Sequence, residues 1–136
     1  ASHNKWLPDI AATQNVSVNF PIIADEDKKV AELYDMIHAN ASEKATVRSV
    51  FIIGADKKIK LTLTYPMAVG RNFLEILRVI DALQLNAQHS VATPADWQKG
   101  EDVIVTLNIP TEDIESRFGV EARIERPYLR FIPEPA

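Results

Sequence analysis

The stretch "VRSVFIIGADKKIKLTLTYPMAVGRNFLEILRVIDAL", residues 47 to 83, constrains this chain most. Val50 to Ile53 form an unbroken apolar run, the pattern of a strand covered on both faces. Gly54-Ala55-Asp56-Lys57 supplies turn chemistry. Ile59, Leu61, Leu63 and Tyr65 then alternate with Lys60, Thr62 and Thr64, which is a strand with one wet face. Pro66 closes that strand. Asn72 is placed to cap a helix, with Glu75 three residues on as in a capping box. Phe73, Ile76, Leu77, Ile80 and Leu83 mark one face of that helix, with Glu75, Arg78 and Asp81 opposite. A hairpin followed by a helix predicts an α/β fold.

The flanking segments are read against this centre. Trp6, Leu7, Ile10 and Ala11 have near-helical spacing, and Pro8 either begins that helix or bends it. Residues 19 to 25, "NFPIIAD", predict a strand end. Asp25 can cap a following helix whose first turn is acidic and whose apolar face is Val30, Leu33, Tyr34 and Ile37. Residues 38 to 46 are small and polar, a loop. After Leu85 the texture changes: a linker with a Thr93-Pro94 helix-start signal, a short strand "VIVTL", and a small acidic helix capped by Thr111 and ended by Gly119. Arg123, Pro127, Tyr128, Arg130 and Phe131 lead into a Pro-rich tail. The chain divides into an α/β unit, residues 1 to 88, and an extension, residues 89 to 136. That extension is too short to be expected to hold a core of its own. Trp6 and Trp97 are read as packing anchors.

Composition removes several classes of chemistry. The chain has 136 residues and a net charge of −4, with no cysteine. Disulfides, thiolate metal sites and cysteine nucleophiles are thereby excluded. The acidic balance argues against nucleic acid as a partner. No apolar run approaches the roughly 18 residues of a membrane span. His3, His38 and His89 lack metal-ligand spacing, so no metal is expected. Asp25-Glu26-Asp27 reads as a solvated helix start. No phosphate loop, dinucleotide fingerprint or serine elbow is present, and no acid/base cluster favours an unrelated α/β enzyme.

Two arginines remain. Arg48 shares a strand face with Val50 and Ile52. It either reaches solvent from the strand end or finds acceptors, because burial without them is costly. Arg71 precedes a helix N-cap, where a cation opposes the helix dipole. It either pairs with a carboxylate elsewhere or stabilises a nearby anion, and a thiolate is one such anion.

Thr46-x-Arg48, Tyr65-Pro66-x3-Gly70-Arg71-Asn72, the "EILRVI" helix, "VATPADW" and "RPYLRFIPEP" occur in one order along the whole chain. So ordered, they resemble the one-cysteine peroxiredoxins, the peroxiredoxin 6-like subgroup of the AhpC/TSA family. The His3-x-x-Trp6 pair and "FPIIADEDKKVAELYDM" fit the same pattern. The resemblance implies a partial thioredoxin-like fold, a central sheet with flanking helices, plus a small C-terminal arm that helps build a homodimer. It implies thiol peroxidase chemistry: hydrogen peroxide and organic hydroperoxides are reduced by a cysteine thiolate, and an external thiol reductant restores it. Arg48 matches the family arginine that contacts thiolate and peroxide. Arg71 matches the arginine of the supporting charged network. No cofactor is implied, and the implied location is cytoplasmic.

One departure is severe. The family's P-x3-T-x2-C loop is absent, so this chain is expected to be a C-terminal portion whose nucleophile segment lies upstream of Ala1. Such a portion is expected to be inactive alone. The alternative is a natural non-catalytic module for dimerisation or binding. The phospholipid hydrolysis implied for some of the subgroup is not carried over, because only Asp56 matches any residue credited with it.

Overall fold

The fold was obtained as a computed structural model, which describes residues 3 to 37 and 47 to 136. The expected loop at 38 to 46, with His38 and Thr46, lies outside the described residues. Two compact units divide the chain, Ala1–Arg48 and Ser49–Ala136. The expected boundary at 88/89 falls within the second.

In the first unit, α1 runs His3–Gln14 with Pro8 inside it. Asn15 ends it in the left-handed region, φ 53°, and its amide donates to the Ala11 carbonyl at 3.1 Å. Trp6, read as a packing anchor, is 56% exposed. Residues 19 to 25 form no strand. Asp25 does cap the next helix, from a looped approach. Its carboxylate accepts from the Val30 and Ala31 amides at 2.9 and 2.8 Å, reaching past Lys28, which is itself left-handed. Helix α2 covers only Lys29–Leu33. The face predicted from Val30 and Leu33 is open, Leu33 at 80% exposure, and Ala31 is the buried residue.

The hairpin forms as expected. Strand β1, Arg48–Ile53, pairs with β2, Ile59–Tyr65. The Gly54 amide donates to the Lys58 carbonyl and the Lys57 amide to the Gly54 carbonyl, both at 2.9 Å. Asp56 braces the turn through the Lys58 amide at 3.2 Å and the Lys60 ammonium at 2.8 Å. A Cβ at Gly54 would lie 2.6 Å from Lys60 Cε and 2.8 Å from Asp56 Oδ1, so a larger residue would displace the side chains of this ion pair. Along β2, Leu61, Leu63 and Tyr65 are half-buried while Lys60, Thr62 and Thr64 are exposed. The middle of β1 is half-buried rather than enclosed.

Helix α3 spans Phe73–His89, with Asn72 as its N-cap. It extends over Asn86–His89, which the sequence suggested as linker. Ser90 ends it at φ 59° with its amide on the Asn86 carbonyl. On the predicted apolar face Phe73 and Leu77 are exposed, while Ile76, Ile80 and Leu83 are half-buried. The opposite face enters the core: Leu85 is buried and Ala82 packs beside it.

That core belongs largely to the extension, contrary to expectation. Strands β3 (Val91–Ala92), β4 (Val103–Val105), β5 (Arg123–Arg126) and β6 (Leu129–Ile132) form an antiparallel sheet in the order β3-β4-β6-β5. Val91, Val103, Val105 and Ile132 line one side, against Trp97, Ile109, Ile114 and Leu85. Each aliphatic side chain so enclosed contributes about 1.5–3 kcal/mol. No helix starts at Thr93-Pro94; a turn carries Trp97 inward instead, and it is 1% exposed. The segment with Arg123, Pro127 and Tyr128, read as tail, is a hairpin of β5 and β6.

The small helix comes in two parts, a 3-10 turn Thr111–Asp113 and α4, Ile114–Phe118, closed by Gly119 at φ 70°. Thr111 makes no capping bond. Its hydroxyl accepts from Arg130 Nη1 at 3.1 Å. Arg130 is 2% exposed and also donates to the carbonyls of Ile109, Val105 and Thr106 at 2.8, 3.2 and 3.0 Å. Carbonyl dipoles thus replace a carboxylate as its partners, and its Nε is left without one.

Candidate functional site

Arg48 is the first residue of β1 and is exposed. Val47 before it is buried and donates its amide to the Met36 carbonyl at 3.0 Å, which ties the strand entrance to the end of the α2 segment. Arg71 follows a tight turn after β2, in which the Val69 amide reaches the Pro66 carbonyl at 2.9 Å. It immediately precedes the N-cap of α3 and is exposed. Among the described residues neither arginine has a hydrogen bond or ion pair. For Arg48 the solvent-reaching alternative therefore describes its surroundings. For Arg71 no carboxylate partner is found among the described residues.

The two arginines belong to different units, and each is positioned within its own. Around Arg71 the surface is apolar: Met67, Val69, Phe73 and Leu74 are all exposed. A guanidinium set among such groups could take an anion, and the attraction would strengthen only where an arriving apolar surface excludes water.

Asn72 performs its predicted part, accepting from the Glu75 amide at 3.2 Å. The reciprocal half of the capping box does not form. Glu75 instead takes a two-pronged bond from Arg78, Nε at 2.6 Å and Nη2 at 2.8 Å. The sequence reading put both residues opposite the apolar face without pairing them. Their i, i+3 spacing was the available signal. Arg78 holds the Glu75 carboxyl below its usual range, chiefly by hydrogen bonding and further by charge. The Arg78 guanidinium is raised by the same partner and, more weakly, by the charge of Asp96. Arg78 Nη1 also lies 3.5 Å from the Trp97 carbonyl.

A cleft of about 490 Å³ opens between the end of the hairpin and α3, lined by Ile52, Ile53, Lys60, Ile80, Leu83 and Ala87 among others. Neither Arg48 nor Arg71 lines it. Among the described residues no group of three or more His, Asp or Glu side chains converges as metal ligands would, and no helix is long and apolar enough to cross a membrane.

Comparison with known proteins places this arrangement. Residues 1–62 match the AhpC/TSA family, and residues 82–118 match the C-terminal domain of 1-Cys peroxiredoxin. The chain is 47% identical over 133 residues to a 1-Cys peroxiredoxin of Dictyostelium discoideum, covering 98% of this chain and 55% of that protein. It is 45% identical over 146 residues to peroxiredoxin-6 of Rattus norvegicus, covering 98% of this chain and 65% of the relative. The solved structure of a yeast mitochondrial 1-Cys peroxiredoxin superposes with a TM-score of 0.88 at 45% identity, over 97% of this chain and 65% of that one. The fold is α/β and thioredoxin-like, with the small C-terminal peroxiredoxin arm. The chain belongs to the one-cysteine peroxiredoxins of the AhpC/TSA family, and it carries no cysteine. It spans between about half and two-thirds of the relatives it matches.

Proposed function

We propose that this chain is the cysteine-free portion of a thiol peroxidase that reduces hydrogen peroxide and organic hydroperoxides. The observation that carries this reading is the family match along the chain combined with the absence of any cysteine. In the reaction a thiolate attacks one peroxide oxygen and the O–O bond breaks. The sulfur is oxidised to a sulfenic acid, and the released oxygen leaves as water or an alcohol after taking a proton. Two equivalents of external thiol then return the sulfenic acid to the thiol, giving water and a disulfide. Arg48 is assigned to the thiolate and the peroxide, where its charge favours the ionised sulfur and stabilises charge developing on oxygen. Arg71 is assigned to the supporting network. The exposure of both side chains, free of carboxylate partners among the described residues, supports their availability to an anion.

The parent is read as a cytoplasmic homodimer whose nucleophile comes from a segment outside these 136 residues. The test is peroxide consumption by this chain with excess dithiol. The expected rate is that of the dithiol alone, since no other residue replaces a thiolate. A protein-dependent rate would overturn the reading.

The alternative, a non-catalytic module for dimerisation or binding, is favoured by one observation. The residues after α3 carry most of a buried cluster, to which α3 adds Leu85. Size-exclusion chromatography with circular dichroism separates the two. A stable folded dimer of the 136-residue chain supports the module, and an aggregating or unfolded chain opposes it.

A further inference from the structure

The Arg71 side chain is exposed and makes no hydrogen bond or ion pair among the described residues, so its location is set by the backbone that carries it. That location is not self-stabilising, because a cation beside a helix N-terminus is repelled by the helix dipole. Something must hold the first turn of α3 in place. The structure contains a continuous polar line that ends there. Trp97, the largest fully buried side chain, is fixed by its indole Nε1–H donating to the Glu101 carbonyl at 3.1 Å. Its own carbonyl faces Arg78 Nη1 at 3.5 Å. The other two donor nitrogens of Arg78 clamp both oxygens of Glu75. The Glu75 amide in turn donates to Asn72 Oδ1, and Asn72 is joined by a peptide bond to Arg71.

We propose that Arg78 is the positioning residue for Arg71: it clamps the first turn of α3 to the C-terminal core so that Arg71 is presented to an anion at a fixed place. The nature of that anion rests on the thiol-peroxidase reading; the clamp does not. The planar fork suits this work, since it engages a carboxylate through two parallel bonds and still leaves a third nitrogen for a carbonyl. Lysine, a point donor on a flexible stem, would keep the charge and lose the geometry. The charges facing Arg78 are Glu75 on its own helix and Asp96 from the turn before Trp97. One turn further along α3, Asp81 and Lys99 lie 3.7 Å apart. Trp97 therefore acts on Arg71 through an arginine that touches no substrate.

The test uses the isotope-labelled natural protein that carries these residues, at neutral pH. Backbone order parameters and residual dipolar couplings are measured for Arg71, Asn72 and Phe73, with Val103, Val105 and Ile132 as the core reference. In the unaltered chain the two sets are expected to fit one orientation frame, with order parameters near about 0.85. In Arg78→Ala the first set is expected to leave that frame and fall below about 0.6, while the core set is unchanged. Arg78→Lys should recover part of the order, and Glu75→Gln should reproduce the loss in weaker form. Glu75→Gln also serves if Arg78→Ala does not fold. A side chain that merely stabilises the fold would lower the melting temperature and leave the fit intact. Couplings at Arg71 and Asn72 that still fit the core frame in both variants would overturn the proposal. So would an unaltered chain in which they never fit. The experiment contains no added peroxide and no added thiol, so its failure is distinct from failure of the peroxidase reading.

Discussion

Asn72 Oδ1 accepts the Glu75 amide at 3.2 Å, and this bond makes Asn72 the N-cap of α3, with Arg71 the residue before it. One orphan donor of the helix start is thereby satisfied. Replacing Asn72 by alanine should destabilise the unit containing α3 by about 1 kcal/mol. Urea unfolding followed by circular dichroism measures it. Asn72→Asp should fold as well as the parent, because aspartate caps equally and its charge favours the helix start.

Glu75 gives the first turn a pH dependence whose sign follows from its lowered pKa. A carboxyl depressed in the folded state contributes stability that is fully present above its unfolded pKa. That contribution is lost as pH falls through the folded value. The Glu75–Arg78 pair should therefore hold at neutral pH and open only at acidities below the ordinary glutamate range. Carboxyl carbon shifts through an acid titration report the midpoint. In Arg78→Ala that midpoint should rise toward the ordinary glutamate value.

Trp97 fills the centre of the C-terminal core and bonds through its indole. Trp97→Ala should cost about 3–5 kcal/mol. A domain of this size has about 5–15 kcal/mol in total, so the variant should be marginally folded at best. Trp97→Phe should cost less, losing the bond to the Glu101 carbonyl and part of the volume. Thermal unfolding ranks the three proteins.

Arg130 joins β6 to the Val105–Thr111 segment through three carbonyls and a hydroxyl. Arg130→Met fills similar space and leaves those acceptors without their donor, at about 1–3 kcal/mol for each buried group that water does not reach. The expected result is a lower unfolding midpoint and faster amide exchange at Ile109, whose amide donates to the Thr106 carbonyl at 3.1 Å within that loop.

Local chemistry was the legible part of this chain. The hairpin turn, the Asn72 cap and the Gly119 stop each depend on residues close in sequence, and each formed. Long-range choices were hidden. Helix α3 has two usable faces, and the more apolar one is only half-covered because the enclosed core is built from strands that follow it. The burial of Arg130 was not legible because its acceptors lie 19 to 25 positions away. The hairpin of β5 and β6 was masked by its arginines, of which Arg123 stacks over the Phe131 ring at 4.4 Å. Arg48 and Arg71 carried no signal of their own beyond an unexplained charge. Their assignment came from the motifs around them and belongs to the proposal.

The central claim is that these arginines serve a sulfur anion contributed by residues outside these 136. Intact mass spectrometry of the natural gene product, with thiol counting by alkylation, tests it most directly. The account predicts a polypeptide heavier than 15.2 kDa bearing at least one reactive cysteine. A natural product of 15.2 kDa that takes up no alkylating agent would contradict it.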